Sequence, residues 1–293
     1  MRPEISRALE LLRQNDPTSL ERALALLQET VFSFSMKVCG QREDAEDTMQ
    51  EVLLKSVPYL PRFNSPQALS VWLYKVAKNR CLMSRRKSKF APQKELVLDE
   101  LMPDRRELES LAGGNGESPE TSALRGERAQ WLRDAILRLP PPYRVVLVLR
   151  DMEELSDEEV AKVTGLRPGT VRVRLHRARL YLRKELARRG AFQETSARRG
   201  KASPRAEEKP GRCRQLFAAL SDYLDEKLDD SMCEKMEAHM GDCRPCEAFL
   251  ATLEKTIAQC RQSPSACPDR RKAEKLRRAL LAEFPQPTKA RRN

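Results

Sequence analysis

The sequence is poor in aromatic residues, has almost no strand-like alternation and contains no long apolar run. Aromatic side chains make up 5% of the 293 residues, a proportion that suits small helical domains. No apolar stretch approaches the ~20 residues of a membrane-spanning helix, which argues against a membrane protein. Residues 1–16 are charged and amphipathic and lack a signal-peptide core, so we expect a cytoplasmic protein.

Residue patterns that carry catalysis are also missing from the sequence. We find no paired nucleophile and base, no glycine-rich phosphate loop and no carboxylate pair that would form a credible active site. The H-x-E element that a zinc deaminase needs is absent as well. The sequence therefore predicts a protein that is not an enzyme.

Charged residues are abundant, and their balance is basic. They make up 33% of the chain, and the formal net charge of +12 indicates an anionic partner, nucleic acid above all. Helical periodicity runs through almost the whole chain, so we expect an all-α protein. Three helical blocks, two linkers and a tail with a short helix at 269–283 follow one another: 1–90, 91–127 (linker), 128–187, 188–210 (linker), 211–260 and 261–293 (tail).

Residues 156–189 predict a helix, a tight turn and a second helix. Ser156 and Glu159 form an S-x-x-E capping box, which begins the first helix. Gly165 supplies the turn, and Pro168 stands where the start of a helix tolerates proline. The pattern is typical of a helix-turn-helix element.

The second of these helices has an apolar face and a basic face. Apolar residues at helical spacing should face a core: Val171, Leu175, Ala178 and Leu182. The opposite face carries Arg172, Val173, His176 and Arg177. Nine Lys and Arg residues and one acid lie between Gly165 and Gly190, which favours a recognition helix that contacts phosphates and guanine edges in the major groove. A solvated basic helix on another helical protein is the alternative.

Two segments of the first block have contrasting charge. Residues 43–52 form an acidic helix whose polar face is either available to a basic partner or simply solvated. Residues 71–90 carry seven Lys and Arg residues and no acid, with Trp72, Tyr74 and Phe90 among them. This mixture suits single-stranded or melted DNA, although Trp72 is equally compatible with a core position.

Together these segments resemble a known family. The motifs DAEDTMQEV, PYLPRFNSPQALSVWLYKVAKNR and LPPPYRVVLVLRDMEELSDEEVAKVTGLRPGTVRVRLHRAR look like the two conserved domains of extracytoplasmic-function (ECF) sigma factors of bacterial RNA polymerase. The match covers about 19–90 and 127–187, with several motifs in the right order and spacing. It implies a region-two domain in 1–90 that binds polymerase and the minus-ten promoter element. It also implies a region-four domain in 128–187 that recognises the minus-thirty-five element.

The resemblance also implies roles for individual residues. The helix that docks on the clamp of the polymerase largest subunit would present Asp47, Gln50 and Glu51. Residues 60–69 would form a loop that captures a flipped base, at a cost of roughly a few kcal/mol, and its DNA contacts would be Arg62, Phe63 and Asn64. The opening strands would be held by Lys75, Lys78, Asn79 and Arg80. The upstream element would be contacted by Arg167, Thr170, Arg172, Val173, His176 and Arg177.

The third block contains a motif with metal-ligand spacing. His239 and Cys243 share a helix face, and the C-x-x-C spacing brings Cys246 to the same point. Cys213, on a separate amphipathic helix, would complete a closed, structural Cys3His site for Zn²⁺. Because binding energy becomes folding energy, zinc would help a block of about 50 residues with little core to fold. Unpaired thiols on helical faces are the alternative.

This block resembles the zinc-binding anti-sigma domain over residues 211–258, a domain that normally belongs to a separate protein holding an ECF sigma factor inactive. Residues 211–260 contain six Lys and Arg and ten Asp and Glu residues, so the block could mask basic surfaces of the same chain. A linker of about 20 residues gives an effective concentration near millimolar. The block is then either a stable structural module or a sensor whose zinc thiolates are oxidised. Three further thiols could take part: Cys233, Cys260 and Cys267.

The sequence thus predicts a sigma factor with a fused zinc domain. Its expected partners are core RNA polymerase and promoter DNA, together with an intramolecular contact between the zinc domain and the sigma domains. A one-component DNA-binding regulator with a metal- or redox-sensing domain is the second interpretation. A thiol oxidoreductase that uses Cys243 and Cys246 is the third, and the absence of a βαβ pattern argues against it.

Overall fold

A computed structural model describes residues 3–14, 16–86, 95–103, 107–108, 121–192 and 210–283. Phe90, large parts of both predicted linkers and residues 284–293 lie outside these ranges. The described residues form helices and no strand, which confirms the all-α prediction. No helix among them is long and apolar enough to cross a membrane.

The chain divides into two compact units, each built from separate stretches of sequence. The first comprises Met1–Pro92, Val148–Pro168 and Pro264–Asn293, and the second comprises Gln93–Leu147 and Gly169–Ser263. The predicted block 128–187 therefore contributes to both units. The block boundaries predicted from the sequence remain predictions.

The first unit is organised around a long central helix. Its helices are α1 (Pro3–Arg13), α2 (Pro17–Cys39), α3 (Arg42–Ser56), α4 (Pro66–Arg86), α8 (Asp157–Thr164) and α13 (Arg270–Glu283). A 3-10 segment, Val57–Arg62, follows α3, and a π-helical turn, Val148–Met152, lies ahead of α8. The central helix α2 packs against α1, α3 and α4 and buries Phe32 and Phe34 completely.

Local signals set the ends of these helices. Asp16 caps α2 by accepting a hydrogen bond from the Ser19 backbone N–H at 2.9 Å, and Gly40 ends α2 in the left-handed conformation with φ of 84°. At α8 the reciprocal bonds of the capping box between Ser156 and Glu159 are both present, and Gly165 has a φ of 77°. The predicted helix start and turn are therefore confirmed.

The first unit is also held together by a covalent link and by contacts with its last helix. Cys39 and Cys81 form a disulfide that joins α2 to α4, a pairing that the sequence analysis did not predict. The basic helix α13 packs against α2 and α3 through Ala273 and neighbouring apolar residues. The Gln28 side-chain amide donates to the Ala273 carbonyl at 2.9 Å, and Lys272 forms an ion pair with Glu46 of α3.

The second unit contains the remaining helices. They are α5 (Leu98–Leu101), α6 (Thr121–Arg138), α7 (Pro141–Leu147), α9 (Pro168–Arg188), α10 (Pro210–Leu224), α11 (Asp230–Asp242) and α12 (Arg244–Arg261). Pro168, the first residue of α9, is assigned to the first unit, and the rest of α9 belongs to the second. Phe217 of α10 and Phe249 of α12 meet edge to face with ring centroids 4.7 Å apart. The four apolar residues predicted to face a core on α9 are all 0–1% exposed, which confirms that prediction.

Candidate nucleic-acid interface and metal cluster

The acidic helix α3 presents the three residues predicted to bind polymerase. Asp47 and Gln50 are exposed, and Glu51 is half-buried. Glu51 pairs with Lys55 one turn later at 2.7 Å and with Arg80 of α4 at 2.6 Å. The hydrogen bond from Lys55, together with the charge of Arg80, lowers the pKa of Glu51. The structure thus brings a predicted polymerase-binding residue and a predicted DNA-binding residue into direct contact.

Aromatic side chains surround the predicted base-capture loop. The Trp72 ring lies 6.1 Å from Tyr59 and 6.0 Å from Phe63, centroid to centroid, and the Arg62 guanidinium lies 5.5 Å from the centroid of Tyr59. The Arg13 guanidinium donates to the Asn64 carbonyl at 2.8 Å, which anchors the loop to α1. Tyr59 is 47% exposed, and a partly exposed ring beside a cation suits stacking with an unpaired base.

Tyr59 was missed as a candidate residue by the sequence analysis. It lies in the 3-10 segment Val57–Arg62. Because the loop region contains two prolines, the direction of the Tyr59 side chain could not be predicted from the sequence. The signal that could have identified it is its place in an aromatic-rich motif next to Arg62 and Phe63.

The basic residues of α4 differ in their accessibility. Lys75 and Asn79 are exposed, whereas Lys78 and Arg80 are half-buried. The Lys78 ammonium donates to the Val163 carbonyl at 2.9 Å. Burial, followed by the charge of Lys75, lowers the pKa of Lys78. Only part of the predicted strand-holding surface is therefore open to solvent.

The first half of α9 and the turn before it are accessible. Exposed residues here are Arg167, Thr170, Arg172 and Val173, and Arg177 is half-buried. Val173 is 50% exposed, unusual for a large apolar side chain, and it lies beside basic residues. An exposed apolar side chain beside arginines suits contact with base edges in the major groove.

His176 does not lie on an exposed face as the sequence analysis expected. It is 8% exposed, because α10 covers it and the Ser221 hydroxyl lies 2.8 Å from its Nδ1 atom. Its Nε2 atom has no hydrogen-bond partner within the part of the chain that the structure describes. Burial and then the charges of Arg179 and Arg177 lower the pKa of His176 to about 4. The imidazole is therefore neutral here at neutral pH.

Two arginines of α9 that the sequence analysis did not single out make direct contacts with residues 211–260, which we call the zinc module. Arg179 donates from both terminal nitrogens to the two carboxylate oxygens of Asp225, each at 3.0 Å. Both side chains are almost fully buried, at 1% and 3% exposure. A bidentate pair between an arginine and a carboxylate is strong and directional.

Arg183 makes a different set of contacts one turn further along α9. Its guanidinium carbon lies 3.7 Å from the centroid of the Phe249 ring, and its Nε atom donates to the Thr252 hydroxyl at 2.8 Å. Glu107 pairs with it at 2.6 Å. The only sequence signal was the four-residue spacing of Arg179 and Arg183 beside the apolar face of the helix.

The predicted metal ligands come together as a compact cluster. Donor atoms of Cys213, His239, Cys243 and Cys246 all lie within 4.8 Å of one another. The His239 Nε2 atom lies 3.5 Å from the Cys213 sulfur and 3.3 Å from the Cys246 sulfur. Tetrahedral Zn²⁺ with three sulfurs and one nitrogen separates its ligand atoms by about 3.5–3.8 Å. The donor set and its spacing therefore fit a structural zinc ion.

Burial changes the acidity of the thiols in the cluster. Cys243 and Cys246 are buried. Burial, followed by the neighbouring Cys243 and Cys213, raises the pKa of the Cys246 thiol. A divalent ion would offset the cost of gathering several thiolates in one buried place.

Three family models match successive parts of the chain. Residues 25–90 match "Sigma-70 region 2", residues 129–182 match "Sigma-70, region 4", and residues 213–246 match the family described as "Putative zinc-finger". The third match begins and ends at the outermost members of the cysteine and histidine cluster.

Individual relatives agree with the family models. The ECF RNA polymerase sigma factor ShbA of Streptomyces griseus is 32% identical over 143 residues, which cover 48% of this chain and 71% of the relative. The chain belongs to the ECF family of RNA polymerase sigma factors. The sigma-E factor of Escherichia coli is 30% identical over 145 residues, 46% of this chain and 70% of the relative. SigW of Bacillus subtilis is 27% identical over 182 residues, 62% of this chain and 96% of the relative.

Membership in this family confirms the predicted function as a sigma factor that directs RNA polymerase in transcription initiation. Sigma factors as a class are not enzymes, in agreement with the missing catalytic patterns. The zinc-finger match and the Cys3His cluster agree with the prediction of a fused zinc-binding domain.

Proposed function

We propose that this ECF sigma factor is controlled in cis by its zinc module, which binds Zn²⁺ and covers part of the promoter-reading helix α9. In this proposal the chain acts in the cytoplasm with core RNA polymerase and promoter DNA and performs no catalysis of its own. The module competes with DNA for α9, so promoter binding requires its release.

The observation that carries the proposal is the buried pair between Arg179 and Asp225. Charged side chains are rarely buried unless they are paired. Removing one partner leaves the other charge buried and uncompensated, which is strongly destabilising. An arginine on a DNA-reading helix whose two terminal nitrogens are bonded to a carboxylate of the same chain is unavailable to a phosphate. The acidic module thus supplies to α9 the kind of charge that DNA would supply.

Zinc would link the contacts with α9 to the fold of the module. Cys213 lies on α10, the helix that also carries Ser221 and leads directly into Asp225, while His239, Cys243 and Cys246 lie at the junction of α11 and α12. A metal ion bound to all four would hold α10 against the other two helices. Loss or oxidation of the ligands would therefore weaken the contacts with α9 as well.

The predicted site residues would act in the polymerase complex, and His176, which α10 covers, would do so only after the module is released. Asp47, Gln50 and Glu51 would contact the polymerase clamp, and the loop that carries Arg62, Phe63 and Asn64 would capture the flipped base, with Tyr59 as a further stacking surface. Opened strands would be held by Lys75, Lys78, Asn79 and Arg80. The minus-thirty-five element would be contacted by Arg167, Thr170, Arg172, Val173, His176 and Arg177.

Run-off transcription with purified core polymerase tests control by the module. We compare the full chain with its Asp225→Asn variant, using promoters selected from a random library with a chain that ends near Arg189. The Asp225→Asn change removes the charge that holds Arg179, so promoter-specific transcript should rise by about a hundredfold or to the level of the shortened chain.

The matched control is Asp222→Asn, which removes one charge from α10, three residues before Asp225, at a partly exposed position. It should leave transcription at the level of the unchanged protein. Equal activity of the full chain, the Asp225→Asn variant and the shortened chain would refute inhibition by the module. DNA binding by the full chain without polymerase, with no stimulation of transcription, would instead favour a one-component regulator.

A further inference from the structure

The disulfide between Cys39 and Cys81 lies where three helices of the first unit meet. Cys39 is the last residue of α2, and Gly40 ends the helix directly after it. Cys81 belongs to α4, and its sulfur lies 3.8 Å from the Thr48 hydroxyl of α3. Both cysteines are almost completely buried, at 2% and 1% exposure. The bond therefore joins α2 to α4 beside the helix that carries the predicted polymerase-binding residues.

The disulfide is one of three contacts that hold α4 to other parts of the first unit. The Tyr74 hydroxyl donates at 2.7 Å to Glu153, a fully buried carboxylate that also lies 2.9 Å from the Lys37 ammonium. One turn later, Lys78 donates to a backbone carbonyl of α8. Cys81 follows after a further turn, so the three residues lie near one face of α4. Of these three contacts, only the bond at Cys81 depends on the redox state of its surroundings.

The core of the first unit does not depend on this bond. Phe32, Phe34 and Leu53 are fully buried on α2 and α3. A reduced cysteine behaves as a small apolar side chain, so both redox states leave the core filled. Domains that need disulfides to fold are usually small secreted ones with too little core. The bond between Cys39 and Cys81 thus adds a constraint on α4 to a unit that already has a core.

The position of Cys39 gives a route to this buried bond. Helix ends open locally at a lower free energy than the centre of a domain, and Cys39 stands in the last turn of α2. A thiol can therefore reach the disulfide after local opening, without unfolding of the whole unit. Disulfides in the cytoplasm, where the chain is proposed to act, are rare and usually transient, catalytic or redox-sensing.

We propose that Cys39 and Cys81 form a reversible thiol–disulfide site that sets how firmly α4 is held against α2 and α3. The inference rests on the proposed cytoplasmic location and on the proposed roles of α3 and α4. It goes beyond control by the zinc module, because neither cysteine belongs to the Cys3His cluster.

A low-molecular-weight disulfide such as glutathione disulfide is the oxidant in this proposal. One cysteine thiolate attacks it, and a mixed disulfide forms as one glutathione thiolate leaves. The other cysteine thiolate then attacks the cysteine sulfur of the mixed disulfide, and the second glutathione thiolate leaves. The two cysteines lose two electrons to the glutathione sulfurs, and their two protons pass to the glutathione thiolates through solvent. Reduction by a dithiol reverses these steps.

The bond is next to an ion pair that links the two predicted binding helices. Arg80, the neighbour of Cys81, pairs with Glu51 of α3 at 2.6 Å. With the bond formed, α3 and α4 keep a fixed relative position, so less conformational freedom is lost when polymerase and opened DNA bind. We therefore expect the oxidised form to be the more active one.

Redox titration of the full-length, zinc-loaded protein tests whether the site is reversible. The protein is equilibrated in glutathione buffers that range from a cytosolic to a secretory balance, and the disulfide is measured by differential alkylation and mass spectrometry. The bonded fraction should rise from below about 10% to above about 90% across this range. Zinc release is followed in the same samples with a chromogenic chelator. A bond that never forms, or one that stays complete in the most reducing buffer, would overturn the proposal.

Hydrogen–deuterium exchange measures how the bond affects α4. Exchange in residues 66–86 should be about tenfold slower in the oxidised protein than after treatment with a trialkylphosphine reductant. The matched control is Cys81→Ala, whose exchange should not respond to the redox treatment. Cys267→Ser, at an exposed free cysteine, should respond like the unchanged protein. Equal exchange in the oxidised and reduced protein, or an equal response of Cys81→Ala, would refute the constraint on α4.

Transcription with core polymerase separates this proposal from control by the zinc module. In the full chain carrying Asp225→Asn, the oxidised form should give about threefold more promoter-specific transcript than the reduced form. Addition of Cys81→Ala should abolish this difference. Equal transcript from both forms would overturn the functional role of the site. If Asp225→Asn itself has no effect, control by the module fails, while the redox response of Cys39 and Cys81 is still measured in the unchanged chain.

Discussion

Two basic helices of this sigma factor, α4 and α9, are both occupied by other parts of the chain, but in different ways. On α4, Lys78 and Tyr74 contact a backbone carbonyl and one buried carboxylate from residues 148–164. On α9, Arg179 and Arg183 contact an acidic, cysteine-containing module through a bidentate ion pair and an aromatic ring. The α4 contacts involve no metal ligand, whereas the α9 contacts come from helices that zinc would hold together.

Because of this difference, we expect different changes to release the contacts on α4 and those on α9. A change in metal occupancy or oxidation of the zinc ligands should act on α9 and leave α4 as it is. Substitution at Glu153 should act on the α4 contacts and leave the α9 contacts unchanged. Experiments that alter one contact and measure both can therefore separate them.

Loss of zinc should have the largest effect. Structural zinc contributes about 10–16 kcal/mol to the folding of small domains, so Cys246→Ser or strong chelation should unfold the module and expose α9. We expect a loss of helical circular dichroism and a gain in promoter-specific transcript, while exchange in residues 148–164 stays unchanged. The control is Cys267→Ser, at an exposed free cysteine, which should change none of these. Retained structure after complete chelation would contradict a structural metal.

Replacement of Arg183 by lysine should have the next largest effect. Lysine keeps the positive charge, and so the general attraction to DNA, but it cannot both stack on the Phe249 ring and donate to the Thr252 hydroxyl as the guanidinium does. Loss of the contact with Phe249 and of the hydrogen bond to Thr252 should weaken module docking by about 2 kcal/mol. Transcription by the full chain should rise roughly thirtyfold, whereas the exposed Arg188→Lys change should have no effect. An unaltered transcript level would argue against docking through this contact.

Acidification should weaken docking of the module through His176. The docked imidazole has a pKa of about 4, against an ordinary value of 6.5, so the undocked state binds the proton more readily. Docking is then fully favourable above pH 6.5 and weakens as pH falls toward 4. Between pH 7.5 and 5.5 the loss should be about 1.4 kcal/mol, or tenfold.

Exchange protection of α9 measured across this pH range, after correction for the intrinsic exchange rate, checks the prediction. His176→Gln should remove most of the pH dependence. Zinc release is followed in parallel with a chromogenic chelator, because protonation of the metal ligands would produce a similar loss. An identical pH response in the His176→Gln variant would show that His176 is not responsible.

The smallest effect on stability should come from the exposed part of α4. Lys75 is exposed, so Lys75→Ala should change the free energy of unfolding by no more than about 0.5 kcal/mol. If Lys75 contacts a phosphate in the polymerase complex, its loss should weaken binding to all promoters alike and reduce the slope of log affinity against log salt concentration by about one. An unchanged salt slope would remove Lys75 from the DNA-binding surface.

Much of the candidate site could be predicted from local sequence patterns. The capping box at Ser156, the left-handed Gly165 and the buried face of α9 depend on residues within a few positions of one another, and the structure contains all three. Cys213, 26 residues before His239, was added because Zn²⁺ needs a fourth ligand, whereas His239, Cys243 and Cys246 were identified from spacing, because one helical turn and a C-x-x-C motif limit where their donor atoms can lie. Short-range geometry is sufficient for such features.

The burial of His176 and the pairings of Arg179 and Glu153 could not be predicted in this way. Their partners Ser221, Asp225 and Lys37 lie 45 to 116 residues away along the chain. Helical periodicity does not predict which helix surfaces pack against one another. An arginine on a basic helix looks the same in sequence whether it faces DNA, water or a carboxylate of its own chain.

The helical class, the helix-turn-helix, the sigma-factor motifs and the H-x-x-x-C-x-x-C motif could be predicted from the sequence, because each depends on periodicity, capping or ligand spacing within a short segment. Which of the basic residues are accessible could be seen only in the folded chain. That outcome depends on long-range pairing, where desolvation of a charge must be compensated by a particular partner. Two sets of contacts have this effect here: Arg179 pairs with Asp225, and Glu153 pairs with Lys37 and accepts a hydrogen bond from Tyr74.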